Sequence, residues 1–161
     1  MIAMSSERLE AHRTIAAPPE AVFAVLRDPQ GHVAIDSSGM LMSSTGSPVS
    51  GVDDEFVVHM DREALGDRPL GEYQVTVRIT RYEQDREIAW TIVGGVMDPP
   101  VGHVYGYRLA PTADGGTDVV SYYDWSDIHE RYRGRIEFPV INPESLRATL
   151  GILARTVATR R

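Results

Sequence analysis

NPESLRATLGILARTVATRR, residues 142–161, decides how this chain must fold. Leu146, Leu150, Leu153 and Val157 recur at spacings of four, three and four, which puts them on one face of an α-helix. Asn142 suits the N-cap, Pro143 the first helical position, and Glu144 the first turn, where the helix dipole favours negative charge. Arg155, Arg160 and Arg161 lie toward the other end, where positive charge is favoured. Such a helix is about 27 Å long at ~1.5 Å per residue. Almost everything upstream alternates like β-strand. A long helix with one apolar stripe, following a run of strands, buries that stripe most economically across the concave face of the sheet.

The composition bounds the rest. A chain of 161 residues is expected to form a single domain, 1–161, with a proper core. Hydrophobic content of 42% and charged content of 24% are those of a soluble globular protein. The net charge of −7 argues against a general binder of nucleic acid or of anionic membranes. All 16 basic residues are arginine, so Schiff-base chemistry and side-chain amine nucleophiles are excluded. Cysteine is absent, which excludes disulfides, thiolate nucleophiles and Cys-ligated metals. Met1-Ile2-Ala3-Met4 is too short for a signal peptide, and no apolar run reaches membrane-spanning length. A cytoplasmic protein without membrane insertion, monomer or homodimer, is the expectation. Phosphate-binding glycine loops, nucleophile elbows and metalloprotease motifs are all missing, so neither cofactor nor metal is expected.

Outward from the terminal helix, the sequence orders the other elements. Residues 7–17 alternate as a first strand, with Leu9, Ala11, Arg13 and Ile15 sharing a face. Residues 19–27 have helical spacing and stop before Asp28-Pro29, because proline disfavours the helical region for its predecessor. A second short helix is expected at 30–36, closed by Ser37-Ser38-Gly39. Strands follow at 40–44 and 54–60, and residues 61–71 read as a longer hairpin loop. Tyr73, Val75, Val77 and Ile79 alternate cleanly with polar residues. Ile88, Trp90 and Ile92 mark the next strand, and His103, Tyr105, Tyr107 and Leu109 the one after it. Asp114-Gly115-Gly116 is a strong hairpin turn. Val119, Ser121, Tyr123 and Trp125 then share a face, and residues 126–141 read as a long charged loop.

This order, with several stretches of sequence, resembles the START-like, or SRPBCC, superfamily, especially its polyketide cyclase/dehydrase and lipid-transport branch. Arg13-Thr14-Ile15-Ala16-Ala17-Pro18-Pro19-Glu20-Ala21-Val22-Phe23 is similar to the family's first strand running into its first helix. His32-Val33-Ala34-Ile35-Asp36-Ser37-Ser38-Gly39 is similar to a stretch common in bacterial members. Ile88-Ala89-Trp90, Tyr107-Arg108-Leu109-Ala110-Pro111, and Gly116-Thr117 with Tyr123-Asp124-Trp125-Ser126 follow the order of its last three strands. The resemblance covers nearly the whole chain. It implies an α+β helix-grip fold: a curved antiparallel sheet of about six or seven strands around the long C-terminal helix, with two short helices after strand 1. It also implies a deep pocket between sheet and helix.

The residue pattern fits a pocket independently. His103, Ser121 and the hydroxyls of Tyr105, Tyr107 and Tyr123 sit among apolar residues on the inward face, and a solid core rarely carries so many phenols. The plainer alternative is a filled interior with those hydroxyls at the rim. The expected ligand wall comprises Phe56, Val58, Met60, Val77, Trp90 and Ile92; His103, Tyr105, Tyr107, Ser121, Tyr123 and Trp125; and Leu146, Leu150 and Leu153 from the helix. The expected partner is a small hydrophobic molecule (a lipid, polyketide or aromatic metabolite), held by a carrier or sensor. The alternative is a cyclase or aromatase acting in the same cavity. His32 and Asp36, four apart, then form a candidate acid/base pair, with His103 as a further candidate; the plainer reading of His32 and Asp36 is a surface contact in which Asp36 helps to end the helix. Asp124, Asp127, His129 and Glu130 crowd together in sequence but lack the spacing of a metal site.

Overall fold

Seven strands join into one antiparallel sheet, in a computed structural model that describes residues 7–66 and 70–160. Met1 to Met4, the 67–69 portion of the long hairpin loop, and Arg161 lie outside the described residues. The strands are β1 (Arg8–Ile15), β2 (Leu41–Thr45), β3 (Glu55–Asp61), β4 (Glu72–Glu83), β5 (Glu87–Gly94), β6 (Val104–Pro111) and β7 (Thr117–Asp124). Their order across the sheet is β1-β7-β6-β5-β4-β3-β2. Every neighbouring pair from β2 to β7 is consecutive in the chain, and only β1 crosses to pair with β7. Helices α1 (Pro19–Leu26) and α2 (Pro29–Ile35) fill that crossing, and α3 (Pro143–Thr159) closes the chain. This is the expected α+β helix-grip architecture.

Curvature has a local cause. The register of β4 against β5 slips between Thr76 and Val77 and again between Ile79 and Arg81. Extra residues of this kind, Val93 on β5 and Thr80 on β4, bend their strands and increase the twist, so the sheet curves where β4 and β5 pair. On the convex face, β6 and β7 approach closely at Gly106. A Cβ there would lie 2.3 Å from the Tyr122 ring, which covers the glycine, carries the Arg8 guanidinium 4.0 Å from its centroid, and donates its hydroxyl to Glu87 at 2.6 Å.

The terminal helix forms as its sequence dictates. Asn142 Oδ1 accepts from the Ser145 N–H at 2.8 Å, Pro143 opens the first turn, and Leu146, Leu150, Leu153 and Val157 are the buried stripe. The helix packs on β1 and β7 and against α1 and α2. Its last turns, with Phe23, Leu26, Ile79, Ile88 and Val119, make the most completely buried part of the core. Residues 126–141 differ from a solvated loop. Glu130–Tyr132 form a 3₁₀ turn, and Val101, Ile128 and Tyr132 bury a satellite cluster with Trp125, Ile136 and Phe138 packed against it. The apolar residues responsible are spaced irregularly among charges, so periodicity does not reveal them.

Candidate functional site

Between the concave face and the first turns of α3 lies a cavity of about 560 Å³. That volume falls within the range of sites for small organic ligands. Its floor is sheet: Val58 and Met60 from β3, Val75 and Val77 from β4, Trp90 and Ile92 from β5. Tyr105 and Tyr107 of β6 and Ser121 of β7 complete that floor. Leu146 and Thr149 close it from the helix, and His32 and Ile35 from α2. Met97, Val101 and Phe138 border it from the connections. At the mouth, Val96 is 53% exposed and Met97 and Leu70 are 36% exposed, leaving an apolar rim.

The polar groups within this wall are few and well defined. His32 is buried, at 9% exposure, with its ring edge-on to Phe56 (5.0 Å) and Trp90 (4.6 Å). Its Nε2 lies 2.8 Å from the Leu26 carbonyl. A carbonyl oxygen only accepts, so Nε2 carries the proton and Nδ1 presents a bare lone pair. His103 Nδ1 lies 2.7 Å from the Tyr123 hydroxyl. Tyr123 is fully buried, so its own proton must go to a partner inside the protein. It donates to His103 Nδ1, which leaves the imidazole proton on Nε2. Burial holds both histidines at pKa values of about 4, so both are neutral near pH 7. Desolvation likewise pushes Tyr107 up to about 12 and Tyr105 higher still, keeping both phenols protonated. Arg62, near the opening, donates Nε–H to the Tyr73 hydroxyl at 2.9 Å.

The sequence-expected residues fall into two groups. Val58, Met60, Val77, Trp90, Ile92, His103, Tyr105, Tyr107, Ser121 and Leu146 all reach the cavity wall. Phe56, Leu150 and Leu153 are packed in the core away from it, and Tyr123 stands behind His103. Trp125 belongs to the satellite cluster. Its N–H continues the β1 pairing to the Glu7 carbonyl (2.9 Å) and its ring stacks on Tyr123 (5.6 Å, 26°), so it keeps the face that alternation gives it, but at this end of β7 that face meets the satellite cluster and not the cavity.

His32 and Asp36 make no pair. α2 ends at Ile35 and Asp36 is extended, at ψ 126°, so the four-residue helical spacing does not apply. The Asp36 carboxylate accepts instead from the N–H groups of Ser38 (3.0 Å), Gly39 (2.9 Å) and Leu41 (3.2 Å). Asp124 is tied to Arg8, and His129 Nδ1 accepts from the Arg131 N–H. Among the described residues, no group of three or more His, Cys, Asp or Glu side chains converges as a metal site would. Sequence reasoning missed Tyr73 and Val75, which share the parity of Val77 and were within its reach. It also missed Met97, Val101 and Phe138, which no periodicity marks.

A family model described as polyketide cyclase / dehydrase and lipid transport matches residues 6–158. The chain belongs to that family. Solved structures similar to this family member share its fold at low identity. The protein CV1439 from Chromobacterium violaceum is 19% identical, with a TM-score of 0.65 over 94% of this chain and 96% of its own. A norcoclaurine synthase from Thalictrum flavum, solved as a point mutant with a transition-state analogue, is 15% identical, with a TM-score of 0.61 over 99% of both chains. An Aha1 dimer from Colwellia psychrerythraea is 13% identical, with a TM-score of 0.57 over 93% of this chain and 95% of its own. No curated protein sequence matches this family member. Among its described residues, no helix is long and apolar enough to cross a membrane.

Proposed function

We propose that the protein binds a small hydrophobic molecule in the cavity between sheet and α3, as a carrier or sensor. The observation that carries this reading is the hollow itself: about 560 Å³, with a mainly apolar wall and an apolar rim. A wall of this kind takes up a ligand by removing apolar surface from water, while a few fixed polar groups orient it. Binding is favoured over catalysis by the state of the histidines. Neutral groups with pKa values of about 4 are weak bases, and the His103 nitrogen without a protein partner already carries a proton. A cytoplasmic location and a monomeric or homodimeric state belong to the same reading.

Native mass spectrometry of gently purified protein tests it. The expected result is a population heavier than the bare chain by the mass of a small molecule, released on mild collisional activation. A bare chain, together with no uptake of the uncharged dye N-phenyl-1-naphthylamine, would count against a ligand cavity.

A further inference from the structure

The two cavity histidines are set in opposite hydrogen-bonding polarity, and this deepens the reading just given, on which it rests. Three observations converge. First, His32 gives its only proton to the Leu26 carbonyl at 2.8 Å, so Nδ1 can act only as an acceptor. Among the described side chains, the one polar atom that is sealed off without a hydrogen bond is Ser44 Oγ. His32 Nδ1 is therefore not sealed, and the open space that His32 borders is the cavity. Second, the buried Tyr123 hydroxyl fills His103 Nδ1 at 2.7 Å, so the remaining nitrogen, Nε2, can act only as a donor, and it too is not sealed, on a residue that borders the cavity. Third, the rings between them form one aromatic run. Trp90 lies 4.6 Å from His32 and, nearly parallel at 12°, 6.0 Å from Tyr105, whose ring is 5.1 Å from His103.

A cavity wall with an acceptor at one end of an aromatic surface and a donor at the other is selective. An apolar hydrocarbon leaves both histidines without partners, and a buried polar atom left so is unfavourable. A carboxylate has no proton for His32, and placing it deep in the cavity strips its hydration. Asp36, the acidic residue on the wall, already spends its oxygens on three backbone N–H groups and the Ser38 hydroxyl.

We propose that the cavity selects an uncharged, flat molecule that donates a hydrogen bond from a hydroxyl or N–H to His32 Nδ1 and accepts one at a carbonyl from His103 Nε2–H. His32 and His103 are thus specificity-determining residues, and Tyr123 is the positioning residue that sets the tautomer of His103. A free fatty acid is a poor occupant of this arrangement, and a hydroxylated aromatic ketone a good one.

Matched probes test the polarity separately from the existence of the cavity. N-phenyl-1-naphthylamine reports occupancy, and 7-hydroxyflavone, 7-methoxyflavone and 7-hydroxyflavan compete for it. The hydroxyl compound is expected to displace the dye at about tenfold lower concentration than its methyl ether, and at about tenfold lower concentration than the flavan, which lacks the carbonyl. His32→Phe is expected to abolish the first difference and leave the second. Because that substitution also removes the bond to Leu26, the wild-type protein is examined in parallel by ¹⁵N NMR of its imidazoles. The His32 Nδ1 resonance is expected to move with 7-hydroxyflavone and to stay with 7-methoxyflavone. Dye binding with equal competition by all three flavonoids, or a His32 Nδ1 resonance indifferent to the hydroxyl, would overturn the polarity inference while leaving the carrier reading intact. Failure of the dye to bind would remove the carrier reading first.

Discussion

His32 and His103 make the stability of this protein depend on mild acid. Their ordinary pKa is 6.5, and burial lowers both to about 4 in the folded state. Between those values the unfolded chain binds more protons than the folded one, so stability is full above about pH 6.5 and falls as pH drops toward 4. A fully buried histidine shifted this far loses about 2 kcal/mol by about pH 5. His103, which is partly accessible, contributes less. Urea unfolding at pH 7 and at pH 5 should show that loss with an unchanged slope on denaturant. Carboxylates held low, such as Glu10 beside Arg8 and Arg108, act further down the scale and do not mimic it. At this scale the sequence was only half legible. It identified His32 and His103 as notable. It paired His32 with Asp36, because four-residue spacing implies a shared helical face only while the helix lasts, and this one stops one residue short.

At the scale of elements, α3 divides into two halves with different work. Leu146 and Thr149 border the cavity, whereas Leu150, Leu153 and Val157 are packed against the sheet and α1. Leu153→Ala should therefore cost about 2–5 kcal/mol, through lost burial and an unfilled hole in a dense region. Leu146→Ala, beside space that is already open, should cost clearly less and should change affinity for N-phenyl-1-naphthylamine. Thermal unfolding and dye titration of the two variants check this; equal stability losses would mean that the cavity end of the helix is as tightly packed as the other. The stripe on this helix was fully legible, since burial by core and burial by cavity impose the same period. Which half faced which could not be read, because the distinction depends on where the sheet bends away. In the strands, alternation placed Val58, Val77, Trp90 and Tyr107 on the correct face. It also put Trp125 on the face of Tyr123, on which its ring stacks, but alternation alone could not show that this end of the face meets the satellite cluster instead of the cavity.

For the whole molecule, the sheet and α3 act as a frame and the connections around the opening as its border. The satellite cluster of Val101, Ile128 and Tyr132 ties two of those connections together through the Tyr132 hydroxyl, which donates to the Pro99 carbonyl. Hydrogen exchange should follow this division. Amides of β1, β7 and the last turns of α3 should open only with global unfolding, while residues 95–102 should exchange faster and slow down when dye occupies the cavity. Mass-spectrometric exchange with and without N-phenyl-1-naphthylamine measures this, and protection spread evenly over the chain would contradict it. The helix-grip order of elements was legible because strands, short helices and terminal helix each carry strong local signals. The satellite cluster was not, because its apolar members are scattered through a charged, aperiodic stretch.

The split along α3 bears on how proteins of this kind change their preferences. Substitutions in the opening turns of the helix alter the shape of the hollow and leave the anchor below untouched. Ligand choice can therefore drift, or be re-engineered, through positions such as Leu146 and Thr149 without eroding the fold that presents them.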